Sequence, residues 1–209
     1  MSIINLLKEG KIRIMKMQNP KEFYKATSHG NPSILVRTFF ANNYNEKIQG
    51  NKAVDLGCGS GNDTVFLLEK GFEVTAIDQE EQVREIIENK DFNNKENLKV
   101  IIDDFSKIEI SNIDLLLANY SIFFVKNNFE EFVKKVLNNI NSKGFFIGNF
   151  LGKEDSWNNM KTTVDKEELL NYFKDYEILY FSEEKFQKDT ATGKSKFWHV
   201  YNIIAQKKI

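Results

Sequence analysis

From residue 52 onward, short runs of apolar residues alternate with segments whose apolar positions recur every three or four residues. The runs KAVDLG, FEVTAID, LKVIIDD and GFFIGNF, together with a stretch inside IDLLLANYSIFF, predict strands. They are almost continuously apolar, as in strands of a sheet covered on both faces. The intervening NDTVFLLEKG, EEQVREIIENKDF and NFEEFVKKVLNNI have helical spacing, and Gly71 is placed to cap the first of them. Strands separated by single helices imply βαβ units and a mostly parallel sheet. The tail breaks this rhythm. DKEELLNYF predicts a helix with Asp165 as N-cap and Glu168 three residues on, the spacing of a capping box. Two long strand-like runs follow, YEILYFSEEKF and KFWHVYNIIAQKK, joined through QKDTATGKS, which reads as a hairpin. The expected fold is α/β, a doubly wound, seven-stranded, mostly parallel sheet ending in an antiparallel hairpin.

The first residues stand apart from this pattern. Residues 1–20 mix Ile3, Ile4, Leu6, Leu7, Ile12, Ile14, Met15 and Met17 with lysines, and read as an N-terminal arm or lid. Residues 21–209 make up the expected domain. Its opening, KEFYKATSHGNPSILVRTFFANNY, predicts a helix, a break at Gly30-Asn31-Pro32, and a second helix starting near Pro32 and Ser33.

Composition narrows the classes. The chain has 209 residues, enough for one full core, and a formal net charge of -1. That charge supplies no global basic field, so a nucleic-acid partner is not expected. A single cysteine, Cys58, rules out an intrachain disulfide. No apolar run approaches a membrane span and the N-terminus lacks a leader pattern, so the expectation is a cytoplasmic protein without a membrane partner. No His–Cys grouping has zinc-like spacing, and no metal is expected. Oligomeric state is not legible.

The chemistry concentrates in VDLGCGSGNDT. Gly57, Gly59 and Gly61 close the first strand and open a helix, where a ligand can approach bare backbone. A dinucleotide fingerprint would continue with glycine at its sixth position, which here is Asn62. Asp55 precedes the first glycine and Asp63 sits in the first turn of the helix. Both would repel a pyrophosphate. S-adenosylmethionine carries no phosphate but an ammonium and a sulfonium, and suits this loop better. Asp78 ends the second strand, where a carboxylate can accept from ribose hydroxyls. Asp103-Asp104-Phe105 ends the third, offering a carboxylate for an adenine amine and a ring for the base.

These residues resemble the class I S-adenosylmethionine-dependent methyltransferase superfamily. The resemblance implies that residues 55–61, with Asp55, Gly57, Cys58 and Gly59, hold the methionine part of the cofactor. It implies that Asp78 binds the ribose, that Gln79 lies beside the adenosine, and that Asp104 and Phe105 meet the adenine. Asn119-Tyr120, at the end of the fourth strand, matches the segment facing both methyl donor and acceptor. A narrower resemblance is to small bacterial methyltransferases of the tellurite-resistance type. It rests on Phe23-Tyr24 with the following break and Arg37-containing helix, on FLGKEDSW, and on TATGKSKFWHV, where Phe197 replaces the usual histidine.

The implied reaction moves a methyl group from S-adenosylmethionine to an unidentified small-molecule acceptor. Asn119, Tyr120, Trp157 and His199 are the candidate catalytic residues. Tyr120 or Asn119 would orient the acceptor, Trp157 would exclude water, and His199 would take a proton where the acceptor has one to lose. His199 has a second reading as a packed core residue. Arg37 is a candidate for a cofactor carboxylate, or a solvated helix residue. Lys194 and Lys196 follow a glycine turn and read as solvent-facing. One rival is an RNA or protein methyltransferase using Lys11, Arg13, Lys16, Lys194 and Lys196 as a positive surface. Less favoured are a nicotinamide-dependent oxidoreductase and a non-catalytic cofactor-binding protein.

Overall fold

The computed structural model describes residues 20–209. The arm expected over residues 1–20 therefore lies outside the described residues, apart from its final position. The elements run α1 (Pro20–Thr27), α2 (Ile34–Ala41), β1 (Lys52–Leu56), α3 (Asn62–Glu69), β2 (Glu73–Asp78), α4 (Gln82–Glu88), β3 (Leu98–Ile102), β4 (Ile113–Ala118), α5 (Phe129–Asn138), β5 (Ile140–Gly152), β6 (Thr163–Val164), α6 (Lys166–Tyr172), β7 (Tyr176–Asp189) and β8 (Ser195–Lys207).

Seven strands lie in the order β3-β2-β1-β4-β5-β8-β7, and the two-residue β6 pairs with β5. Strands β1 to β5 pair in parallel. Strand β8 inserts antiparallel between β5 and β7. The order reverses at β1, with β2 on one side and β4 on the other. In a doubly wound sheet a ligand sits in the crevice at that reversal.

Both faces are covered, as the apolar runs require. One core joins Val54, Leu116, Phe146 and Ile203 to residues of α5 and α6, among them Val133, Val136 and Leu169. The other joins Leu115, Leu117, Phe145 and Ile204 to Leu35, Phe39, Leu67, Leu68, Val83 and Ile87 of α2, α3 and α4. Successive strand residues point to opposite cores, so neither face tolerates a polar stripe.

The local signals worked as chemistry predicts, with two differences. Ser33 caps α2, its side chain accepting from the Val36 amide at 3.3 Å. Gly71 follows α3 at φ +86°. Asp165 caps α6, accepting from the Glu168 amide at 2.8 Å. The capping box is only half built, because the Glu168 carboxylate accepts from the Tyr172 hydroxyl at 2.9 Å instead of turning back to the cap. Strand β5 begins at Ile140, before the predicted GFFIGNF, because Ile140 already pairs with Ile113 of β4 ahead of a register shift.

Candidate functional site

Strand β1 ends in a loop whose three glycines all have positive φ: +70° at Gly57, +56° at Gly59 and +71° at Gly61. At Gly57 a side chain is also excluded by space, since its Cβ would lie 2.5 Å from the Ser121 Cβ. The loop thus folds tightly against the segment following β4.

Four of the loop's amides are already used. Those of Gly57 and Cys58 donate to the Ile77 carbonyl at 2.8 and 3.0 Å, that of Gly61 to the Cys58 carbonyl at 2.9 Å. The Gly59 amide donates to Asp78 Oδ2 at 3.0 Å. A phosphate-binding loop needs such amides free and pointing at the anion. Here a carboxylate of the protein takes one of them.

Three carboxylates surround this loop. Asp55, Asp63 and Asp78 are all buried. Asp55 Oδ2 accepts from the Thr64 hydroxyl at 2.6 Å. Asp63 accepts from the Ser33 amide at 2.6 Å and from Asn119 Nδ2 at 3.2 Å. Asp78 Oδ1 accepts from the Tyr24 hydroxyl at 3.2 Å and the Glu80 amide at 3.1 Å. None of these donors is a cation. Burial, reinforced by the nearby Asp63 charge, pushes the Asp55 carboxyl up to about 7. Burial also raises Asp63. Clustered buried acids with no basic partner among the described residues favour a positive ligand. Ser121 adds to this edge, because its Oγ is buried without a hydrogen-bond partner among the described residues and faces the loop beside Gly57. These groups fit the ammonium and sulfonium of S-adenosylmethionine and do not fit a pyrophosphate.

Asp63 joins elements distant in sequence. It ties the start of α2 to the first turn of α3 and to Asn119 at the end of β4. Helix α1 closes over the same loop: Thr27 Oγ1 lies 2.5 Å from Ser60 Oγ, Asn62 Nδ2 donates to the Thr27 carbonyl at 2.8 Å, and Tyr24 reaches Asp78. Tyr24, Thr64 and Ser121 were not singled out from sequence as site residues. Only the alternation of polar residues with the glycines around 60–64 hints at Thr64.

The adenine side is less closely assembled. Asp104 is partly exposed and caps a short turn, its Oδ1 accepting from the Ser106 amide at 3.0 Å and hydroxyl at 2.7 Å. Burial acts to raise its carboxyl, but the Ser106 bonds and Lys107 outweigh that and hold it below the usual range. Asp103 is exposed and its carboxylate accepts from the Asp104 amide. Phe105 packs on Phe132, ring centroids 5.8 Å apart, with its edge 3.5 Å from the Cβ position of Gly57. Gln79 is exposed one residue past Asp78. Arg37 is exposed on α2, three residues from exposed Ile34, and bonds to no other site residue. Cys58 is buried within the loop, and burial followed by the Asp55 charge pushes its thiol well up, so it is not a nucleophile.

Beyond Asn119 an aromatic wall begins. Tyr120 has φ +50°, and its amide donates to Asn149 Oδ1 at 3.1 Å. Asn149 continues to Asn202, whose Nδ2 bonds Ser182 and Glu184, each at 2.9 Å. The Tyr120 ring meets Trp198 edge-on at 5.6 Å, and Trp198 lies 5.6 Å from Trp157. Although Tyr120 is 42 % exposed overall, desolvation of its hydroxyl, then the charges of Glu184 and Asp155, push it up to about 12. It keeps its proton at neutral pH and acts as a donor.

Two sequence expectations are corrected. Lys196 is not solvent-facing: it is 2 % exposed and pairs with Asp155, itself 0 % exposed, at 2.5 Å. Residue position after a glycine turn misled, because β8 pairs only with β7 here, through Lys188, and the loop that follows β5 covers the open side and sets Asp155 against the lysine. This also removes Lys196 from the positive surface imagined for an RNA or protein acceptor. His199 is not grouped with Tyr120 and Trp157. It follows Trp198 directly in a strand and points to the opposite face. Its ring is buried, Nδ1 accepts from the Glu154 amide at 3.2 Å, and Nε2 lies 3.0 Å from Glu183 Oε1. Its second reading, as a packed residue, is the one the geometry supports.

Among the described residues no cluster of metal-ligating side chains occurs, and no helix is long and apolar enough to cross a membrane. Comparison with known proteins agrees with the fold. Carboxy-S-adenosyl-L-methionine synthase of Campylobacter fetus subsp. fetus is 26% identical over 126 residues, which are 59% of this chain and 53% of that protein, so the chain spans about half the length of this relative. The crystal structure of TehB from Haemophilus influenzae superposes with a TM-score of 0.64 at 22% identity, covering 81% of this chain and 62% of that one. A methyltransferase of Burkholderia thailandensis, 1,6-didemethyltoxoflavin-N1-methyltransferase with bound 1,6-didemethyltoxoflavin and S-adenosylhomocysteine, superposes at a TM-score of 0.60 and 15% identity, covering 84% and 79% of the two chains. The family model for tellurite resistance protein TehB matches residues 40–196, most of the chain. A sheet reversing at β1 and an acid-rimmed glycine loop are thus those of a class I methyltransferase fold, and the chain belongs to the TehB family.

Proposed function

We propose that the protein transfers a methyl group from S-adenosylmethionine to a small-molecule acceptor. One observation carries this reading. The glycine loop spends the amides of Gly57, Cys58, Gly59 and Gly61 internally and is ringed by Asp55, Asp63 and Asp78, with no basic partner among the described residues. That electrostatic environment selects a cationic cofactor and opposes a dinucleotide.

When bound, the cofactor supplies a methyl group already activated on sulfur. What remains for the protein is alignment and exclusion of water. Asp55 and Asp63 would balance the ammonium, Asp78 would accept from the ribose, and Asp104 with Phe105 would bound the adenine. Asn119, fixed by Asp63, and Tyr120, fixed through Asn149, would orient the acceptor. Trp157 would close the far wall. The site needs no general base for an acceptor that arrives ionised, which suits the packed state of His199. A small acceptor agrees with a relative in fold that holds 1,6-didemethyltoxoflavin. A buried free thiol at Cys58 is compatible with a reducing compartment, and the proposal includes a cytoplasmic setting.

Calorimetry with S-adenosylhomocysteine and with a nicotinamide dinucleotide tests the cofactor, and a panel of thiol, selenide, amine and hydroxyl acceptors tests the reaction. Tight dinucleotide binding without response to S-adenosylhomocysteine would refute the reading.

A further inference from the structure

Lys196 and Asp155 form a buried ion pair with an unusual setting. The Lys196 ammonium lies 3.7 Å from the ring centroid of Trp198 and 4.5 Å from that of Trp157. These two indoles are the only tryptophans of the chain. The Asp155 carboxylate also accepts from the Trp157 amide at 2.8 Å and the His199 amide at 3.1 Å. The loop after β5 is pinned to β8 again by the Ser156 amide, which donates to the Phe197 carbonyl at 3.1 Å. Trp198 is held from a further side by Nε1, which donates to the Lys188 carbonyl at 3.0 Å.

Burying two charges is a poor route to stability, since well-packed apolar residues serve as well or better. What such a pair can supply is a fixed geometry. The ammonium attracts the faces of both indoles and so sets where each ring stands. The carboxylate fixes the ammonium and the Trp157 backbone together. Trp198 then meets Tyr120 edge-on at 5.6 Å, and Tyr120 is the residue adjoining Asn119 at the cofactor end of β4.

We infer that Lys196 and Asp155 are positioning residues for methyl transfer: their ion pair holds Trp157 and Trp198 as the wall against which Tyr120 and the acceptor are set. The inference rests on the methyltransferase reading above and deepens it. The pair does not touch the cofactor groups at Asp55 or Asp78. Disturbing it therefore alters acceptor use and leaves cofactor binding alone.

Removing one charge strands the other in the interior and invites unfolding. Two variants avoid that. Lys196→Arg keeps the charge but replaces a compact ammonium with a planar fork. The double variant Lys196→Met, Asp155→Asn removes both charges at similar size. Because both tryptophans flank Lys196, indole emission and its quenching by acrylamide report on the cage directly. Both variants are expected to bind S-adenosylhomocysteine like the parent and to show altered emission. With whichever member of the thiol, selenide, amine and hydroxyl panel the parent methylates fastest, kcat/KM should fall by at least about tenfold, mainly through KM. Unchanged emission, or altered emission with parental kcat/KM, overturns the inference. A parent that fails to bind S-adenosylhomocysteine refutes the methyltransferase reading instead, and calorimetry separates the two.

Discussion

Thr64 donates its hydroxyl to Asp55 at 2.6 Å, and among the described residues no cation shares that carboxylate. One neutral hydrogen bond does not offset complete burial beside Asp63, so Asp55 is pushed up to about 7. In the unfolded chain it would titrate near 3.8. Between these values the folded state holds the proton more tightly, so this group's contribution to stability is greatest at low pH and is lost as pH rises toward neutrality. A ligand ammonium beside Asp55 favours the ionised form. S-adenosylhomocysteine affinity should therefore rise with pH through about 7, with proton release seen by calorimetry in buffers of different ionisation enthalpy. Asp55→Asn should abolish that proton release and weaken binding. It should also stabilise the ligand-free protein at neutral pH by on the order of 2 kcal/mol. Parental proton release in the variant would place the titrating group elsewhere.

Asp78 and Tyr24 make a paired test. Asp78 accepts from Tyr24, Gly59 and Glu80, which leaves little room for two ribose hydroxyls while the tyrosine bond stands. Asp78→Ala loses charge-assisted bonds of roughly 1.5–3 kcal/mol each, so cofactor affinity should fall at least about tenfold. Tyr24→Phe removes only the competing donor. Its affinity should equal or exceed the parent's. If Tyr24→Phe weakens binding as much as Asp78→Ala, closure of α1 is what matters and the ribose role of Asp78 fails.

The glycine loop separates strain from crowding. Gly57→Ala must place a Cβ at positive φ and 2.5 Å from the Ser121 Cβ. At Gly59 the φ is also positive, but the nearest atom to an added Cβ is a Phe23 ring carbon at 3.9 Å. Urea unfolding should show Gly59→Ala costing about 1–2 kcal/mol and Gly57→Ala about 2–4 kcal/mol. Equal losses would mean that Ser121 yields easily.

What sequence made legible was local. The strands, the three glycines, Asp55, Asp78 and the tail hairpin all rest on spacings within a few residues or one βαβ unit. The antiparallel insertion of β8 hides the rest. It brings Lys196 onto Asp155 across 41 residues, and its alternation separates neighbouring Trp198 and His199 onto opposite faces. No spacing rule relates Asn119 to Asp63, 56 residues apart, or Tyr24 to Asp78, 54 apart. Asp104 was read correctly as a strand-end acid, yet its carboxylate is engaged by its own turn.

His199, whose place in a strand already pointed to packing, gives the sharpest separation of structure from catalysis. Its ring nitrogens are both engaged: Nδ1 accepts from Glu154, which assigns the proton to Nε2 and makes Glu183 the acceptor. Its ring lies 5.0 Å from Tyr201, and a Cβ on Gly152 would stand 2.3 Å from it, so glycine at 152 and histidine at 199 fit as a unit. His199→Gln should lose packing and one or two hydrogen bonds, lowering stability by about 1–3 kcal/mol in urea unfolding. At a temperature where it stays folded, its kcat/KM and pH profile should match the parent's. Trp157→Ala should do the reverse, keeping S-adenosylhomocysteine affinity and losing turnover by about tenfold or more. A folded His199→Gln that binds the cofactor product but loses turnover together with a near-neutral limb of its pH profile would restore the histidine as a base. The geometry argues against that outcome, because a buried imidazole on the face opposite Trp198 has no line to an acceptor held at Tyr120.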